Sequence, residues 1–278
     1  MNKDLFKKAL SNPLAMAGFI IIVIVFLLAM LAPWIAPYDP DALDVKAILL
    51  SPSLTHWMGT DALGRDVLSR MLFGGRISLL VGIVAVGIST TIGIILGSLA
   101  GYYRGWVDTV IMRLVDVMLS IPSFFLILAV IAFLTPSMLN IMIVIGLTSW
   151  MGVTRLVRAE FLSLNNREFI LASRTLGAKD MRLIFKHLLP NSLTPIIVST
   201  VLGVAGAVLL ESGLSFLGLG VRPPDASWGN ILADGREYIQ FAWWLSLYPG
   251  LAILFTVLGY NLLGEGLRDA LDPRSQSS

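Results

Sequence analysis

Between Asp116 and Arg155 the chain carries no charged residue, an uncharged stretch of 38 positions (117–154). A helix rises about 1.5 Å per residue and the hydrocarbon core of a bilayer is about 30 Å thick, so ~20 apolar residues suffice for one crossing. The stretch is too apolar for water and too long for a single span. Thr135-Pro136-Ser137, with Asn140, supplies the turn that splits it in two. Composition agrees, with 56% hydrophobic and 14% charged residues against about 25% charged in a soluble domain. The pattern predicts an all-α integral membrane protein, and 278 residues leave no room for a separate soluble domain beside it.

Six spans are predicted. The first centres on Leu14 to Ile35, a retained anchor rather than a cleaved signal, because it is long and ends in Pro33-Trp34-Ile35-Ala36-Pro37. The second runs from Ile77 to Tyr103, between Arg76 and Arg104, and carries Gly82, Gly87, Gly93, Gly97 and Gly101, small residues that let helices approach closely. The third runs from about Thr109 to Leu134 with a kink at Pro122, and the fourth from about Leu139 to Val157. A fifth starts after Pro195 and continues to about Leu219, and a sixth covers roughly Trp243 to Leu263.

Loop charges set the orientation. Fourteen Lys and Arg fall on one side, among them Lys3, Lys7, Lys8, Arg104, the group from Arg155 to Lys186, and Arg274; six fall on the other. The positive-inside rule then places both termini and the 155–194 segment in the cytoplasm of a multi-pass protein of the cytoplasmic (inner) membrane. Trp34, Trp57, Trp228, Trp243 and Trp244 fall at or beyond the outer ends, as an interfacial belt would. Cysteine is absent and histidine occurs only at His56 and His187, which excludes a disulfide framework and a conventional Cys/His metal site. The chain divides into residues 1–70, holding the N-terminus, first span and outer loop, and a five-helix core over 71–278 with a loop at 158–194.

That loop is the most informative stretch. Asn165 and Asn166 are suitable N-caps for a short helix from Arg167-Glu168 to Leu176, and Gly177 suits the left-handed position that ends it. A second short helix starts near Asp180 and ends before Pro190. The result is either a stiff knob that meets a partner or a surface hairpin that only tidies a long loop.

The run Glu168-Phe169-Ile170-Leu171-Ala172-Ser173-Arg174-Thr175-Leu176-Gly177, followed by His187-Leu188-Leu189-Pro190-Asn191, resembles the coupling-loop motif of binding-protein-dependent ABC importer permeases. Gly177, Pro190 and Ala172 sit at the matching spacing; Leu171 replaces the family glutamate, Ser173 an alanine and His187 an isoleucine. Three more stretches are similar to the C-type permease of the dipeptide, oligopeptide and nickel branch: His56 to Asp66, Arg113-Leu114-Val115-Asp116 with Pro122, and Glu211 to Gly220 with Pro223-Pro224 and Trp228-Gly229. The resemblance implies a permease subunit that moves di- or oligopeptides by alternating access, with chelated nickel as the alternative cargo. It further implies a heterodimer with a homologous second permease, two cytoplasmic ATPase subunits that hold ATP and Mg, and an external solute-binding protein. On this likeness Arg167, Glu168, Ala172, Ser173, Gly177, Ala178, Lys179 and Pro190 make the ATPase-coupling site, and the chain itself holds no cofactor and is not an enzyme.

Charges within spans are costly, about 2.5–3.5 kcal/mol at a helix centre, and call for partners or water. Arg113 and Asp116 are three apart and can pair locally. Glu211 either bonds to a neighbouring helix or lines the path, and Arg65 with Asp66 either braces a helix at the cavity mouth or meets the binding protein. All five are candidates for the translocation path or gate. His56 with Asp61 supplies too few ligands for a metal. Gly213-Leu214-Ser215 suggests an intramembrane serine protease, but neither histidine lies in a span to activate the serine. No Gly-Lys pair exists, so a P-loop is excluded, and nothing calls for nucleic acid. A secondary transporter would show internal repeats, and none is evident.

Overall fold

The computed structural model describes residues 12–134 and 137–271. Lys3, Lys7, Lys8, Arg274 and the turn residues Thr135 and Pro136 lie outside them. Helix α1 (Pro13–Met30) starts where Asn12 accepts hydrogen bonds from the Leu14 and Ala15 amides, with proline in the first turn where no donor is needed. A single turn, α2 (Ala32–Ile35), follows. Then come α3 (Val67–Tyr103), α4 (Gly105–Ser120), α5 (Ser123–Ala132), α6 (Met138–Leu147), α7 (Met151–Leu164), α8 (Glu168–Thr175), α9 (Asp180–Arg182), α10 (Leu189–Phe216), α11 (Trp228–Gly235) and α12 (Trp244–Leu271). Among the described residues five stretches are long and apolar enough to cross a membrane, and the bent pair α4/α5 is a sixth if counted as one. The chain is an all-helical, multi-pass membrane protein.

Helix α3 begins ten residues before the predicted start at Ile77. Asp66 caps it by accepting from the Ser69 amide and hydroxyl, each at 2.8 Å. Its 37 residues make a rod of about 55 Å, longer than the hydrocarbon. The first turns can therefore carry Arg70 and Arg76, which had marked the boundary in the sequence. Pro122 does more than kink a span: α4 and α5 meet at 83°, because Ile121 and Pro122 are both extended, as the residue before a proline prefers.

The predicted break between the second loop helix and span five is absent. Residues Asp180 to Phe216 form one continuous helical stretch that passes through Pro190 and Pro195. Pro190 has no N–H to give the Lys186 carbonyl, and the turn before it, Leu183–Leu188, widens to a π-helix. Side chains supply donors there: Asn191 Nδ2 to the His187 carbonyl at 2.6 Å and Ser192 Oγ to that of Leu188 at 3.1 Å.

Small residues decide the packing. Gly93, Gly97 and Gly101 share one face of α3 and press on α7; a Cβ at Gly97 would lie 2.7 Å from the Thr154 carbonyl oxygen, and one at Gly101 2.6 Å from Phe161 Cβ. Gly18 of α1 meets the α12 backbone as closely: a Cβ there would lie 2.5 Å from the Gly259 oxygen. The central core joins α3, α6 and α10 through Val81, Ala85, Ile141, Ile145, Val204 and Val208. The aromatic belt is smaller than predicted. Trp34, Trp57 and Trp243 are exposed, but Trp228 and Trp244 are buried, with indole N–H groups on the carbonyls of Met71 and Thr60, each at 3.1 Å.

Candidate functional site

The two ends of the bundle carry the polar chemistry. At the Val67 end, residues 36–66 and 217–243 fold over the helices as a cap. Asp61 accepts from the Leu63 and Arg65 amides at 2.9 and 3.0 Å, takes the Arg65 Nε at 2.7 Å, and stands 3.5 Å from Arg70 Nε. Arg70 is 1% exposed; its Nη1 makes no hydrogen bond and lies 3.9 Å from Asp41. Arg65 also faces Asp234 at 3.8 Å. Partial burial pushes the Asp234 carboxyl up from its ordinary value against the pull of Arg70 and Arg65. Asp66, besides capping α3, bonds to His56 Nδ1 at 2.9 Å, and the imidazole stacks on Tyr38. Arg65 and Asp66 are thus both buried inside the cap. His56 partners Asp66 rather than Asp61, and no cluster among the described residues could hold a metal ion.

Glu211 has no exposure. Its carboxyl accepts from Ser215 at 2.7 Å, Ser78 at 3.2 Å and Ser212 at 3.5 Å, and Ser78 in turn accepts the Trp228 amide at 3.2 Å. One side chain therefore ties α10 to α3 and to the first turn of α11, with Ser227 and Asn230 closing a capping box beside it. It faces no cavity. A cleft of about 250 Å³ lies elsewhere, among α3, α6, α7 and α10, mostly apolar (Val86, Ile145, Leu210) with the hydroxyls of Ser89, Thr90, Ser149 and Ser199 set in it. None of the five charged path candidates lines it. A search guided by charge passes over such neutral hydroxyls.

At the Tyr103 end the α7–α10 connection forms a knob. Gly177 is left-handed (φ 78°), and its amide bonds back to the Arg174 carbonyl, followed by Ala178 to Ser173. Arg167, not Asn165 or Asn166, takes the N-cap position of α8, without a side-chain bond. Asn165 instead ends α7 and accepts Arg174 Nη2 at 3.1 Å. Ile170, Leu183, Ile184 and Leu188 face inward against Tyr102, Phe161 and Val157. Arg167, Glu168, Ala172 and Lys179 face outward, Ser173 and Ala178 are half-buried, and Pro190 is exposed beyond the knob. Leu176, Met181 and Phe185 are exposed too, Leu176 at 88%.

Arg113 and Asp116 do not pair. Asp116 binds Arg155 of α7 at 2.6 Å, one rung of a ladder whose other rung is Asp108 with Arg158 at 2.5 and 2.6 Å. Arg113 is exposed. Helices α4 and α7 are held side by side by residues the sequence alone placed in separate roles.

Apolar helices of spanning length, a polar cap at one end and a knob at the other make this a multi-pass helical membrane protein. Residues 93–277 match the family described as binding-protein-dependent transport system inner membrane component, and residues 2–52 match the N-terminal transmembrane domain of oligopeptide transport permease C. The chain belongs to the binding-protein-dependent transport system inner membrane component family. It is 44% identical to a dipeptide transport system permease protein of Alkalihalophilus pseudofirmus, over 99% of this chain and 90% of that one. It is 41% identical to the oligopeptide transport system permease protein of Bacillus subtilis, over 98% and 89%. Among solved structures, an inward-facing MetNI methionine ABC transporter has a similar fold, with TM-score 0.60 and 19% identity over 73% of this chain and 96% of that one.

Proposed function

We propose that the chain is one permease half of an ATP-driven importer that carries di- and oligopeptides across the cytoplasmic membrane by alternating access. The observation that carries this is its near full-length similarity to proteins named for dipeptide and oligopeptide transport. Those names do not favour chelated nickel. As a permease subunit the chain is not an enzyme; ATP and Mg belong to two partner ATPases. A homologous second permease and an external binding protein complete the assembly.

In this reading α4 and α5 together make the third of six spans, and the excess of Lys and Arg around the knob places it and both termini in the cytoplasm. Residues 1–70 and 71–278 remain the working division, although residue 70 falls in the first turn of α3. The knob, within 158–194, is the ATPase contact. Large apolar side chains standing in water mark an interface, and Leu176, Met181 and Phe185 do so around the predicted coupling residues. The cleft, apolar with Ser and Thr hydroxyls set in it, is the cargo's side of the path, since hydroxyls both donate to and accept from peptide amides. Arg113 and Asp116 are exposed on α4, with Asp116 paired to Arg155.

The test is uptake by proteoliposomes holding the full complex. Labelled di- and oligopeptides should enter on ATP addition and chelated nickel should not; uptake that persists without ATP on a proton gradient alone would mean a secondary transporter. Gly177→Val meets open space at its Cβ, so it acts through backbone strain of about 1–3 kcal/mol. It should abolish substrate-stimulated ATP hydrolysis in an assembled complex; unimpaired stimulation would reject the knob as the coupling site.

A further inference from the structure

Chain continuity suggests that a push on the knob travels straight into α10. The contacts describe a different connection. Tyr102, in the last turn of α3, donates its hydroxyl to Asp180 Oδ1 at 2.7 Å, at the start of α9. Arg174 of α8 lies over the Tyr102 ring, 5.9 Å from its centroid, while its Nη2 holds Asn165 at the end of α7. Arg104, two residues on, reaches Asn166 at 3.4 Å. The end of α3 therefore grips the outgoing and the returning leg of the knob. Behind this grip α3 and α7 touch almost backbone to backbone at Gly97 and Gly101, so the knob, α3 and α7 form one block. The joint to α10 is built differently: a π-turn at Leu183–Leu188, whose buried Leu183, Ile184 and Leu188 pack against the block, then Pro190 and Pro195, each proline removing a helical hydrogen bond.

We infer that Tyr102, Arg174 and Asp180 are positioning residues for coupling, a latch that delivers displacement of the knob to the α3–α7 block, with the π-turn letting that block move against α10. The inference rests on the reading of the knob as the ATPase contact. Its physical basis is stiffness: a charge-assisted hydrogen bond and a cation–π contact that bridge elements transmit motion, whereas a helix with missing hydrogen bonds bends. The hydroxyl of Tyr102 can be removed without touching the ring that packs in the core.

The experiment uses the complete transporter in proteoliposomes. Tyr102→Phe should leave the complex assembled and basal ATP hydrolysis intact while cutting peptide moved per ATP hydrolysed about tenfold, the change that ~1.4 kcal/mol of lost coupling produces. Asp180→Asn, which keeps an acceptor, should retain most of that ratio, and Asp180→Ala should match Tyr102→Phe. Because the chain has no cysteine, spin labels at Leu99 and Thr175 report the block directly. Their distance should stay narrow through the ATP cycle in the unmodified protein and broaden in Tyr102→Phe. An unchanged transport-to-hydrolysis ratio in Tyr102→Phe, or a Leu99–Thr175 distance that already shifts on ATP binding in the unmodified protein, would overturn the latch. Leu176→Asp tests the underlying reading separately: if the ATPase subunits still bind that variant, the knob is not their contact.

Discussion

The cap and the knob sit at opposite ends of the same helices and are built to opposite specifications. In the cap and the helix ends beneath it, Arg65, Arg70, Asp61, Asp66 and Glu211 are all buried, and most of their polar atoms bond to neighbours in the same chain. At the knob the polar groups are mostly exposed, the inner face is a small apolar cluster, and Leu176, Met181 and Phe185 are exposed too. A buried network of charges is costly to disturb because each partner left behind is stranded without water. An exposed apolar knob loses little by changing its surroundings. The difference lies in the charges, which the cap satisfies within this chain; exposed apolar side chains stand at both ends, Leu54 and Trp57 on the cap as Leu176 on the knob.

The sharpest way to break this contrast is Asp61→Ala. It strands Arg65 and Arg70 and should lower stability by about 3–5 kcal/mol, seen as a large drop in the thermal midpoint in detergent with proteolysis of residues 36–66; an unmoved midpoint would mean the charges do not hold the cap. Glu211→Ala should come next, at about 1.5–3 kcal/mol from lost hydrogen bonds to a buried carboxyl. Glu211→Gln should cost less, and transport by it at the normal rate would separate the structural role from one in the path. Gly97→Leu should cost about 1–3 kcal/mol by overpacking α3 against α7, and it should loosen the knob without affecting the cap, as amide exchange of residues 165–182 would report. The smallest effect belongs to Arg155→Ala or Asp116→Ala. Both side chains are about half exposed, so a double-mutant cycle on the isolated chain should give under ~1 kcal/mol. A markedly larger coupling in the assembled transporter would show that a partner covers this face of α4 and α7.

Several elements were legible because their causes are local. Pro122 and Gly177 punctuate the chain where the sequence placed them, since a missing donor or a missing Cβ acts on its own residue. Where local rules competed, the sequence misled. Pro190 and Pro195 read as a boundary, yet the helical stretch from Asp180 runs through both, with a π-turn at Leu183–Leu188 ahead of the first. Arg76 read as the edge of a span, yet α3 starts earlier because the cap neutralises Arg70 and Asp66 caps the helix. Tyr102 and Asp180 carried no motif, and no pattern within either segment signals that they meet.

The sequence by itself determined that this chain is a bundle of membrane-crossing helices with a glycine-jointed knob, because apolar length, turn residues and charge asymmetry are properties of contiguous stretches. Which groups meet was decided by tertiary structure alone. Asp116 finds Arg155 across 39 positions, Asp108 finds Arg158 across 50, and Ser78 reaches Glu211 across 133. Such pairings depend on how each helix is rotated and where it crosses its neighbour. Those are set by glycine contacts between helices far apart in the chain, and the hydrogen bonds then form between whatever polar groups the crossing brings within reach.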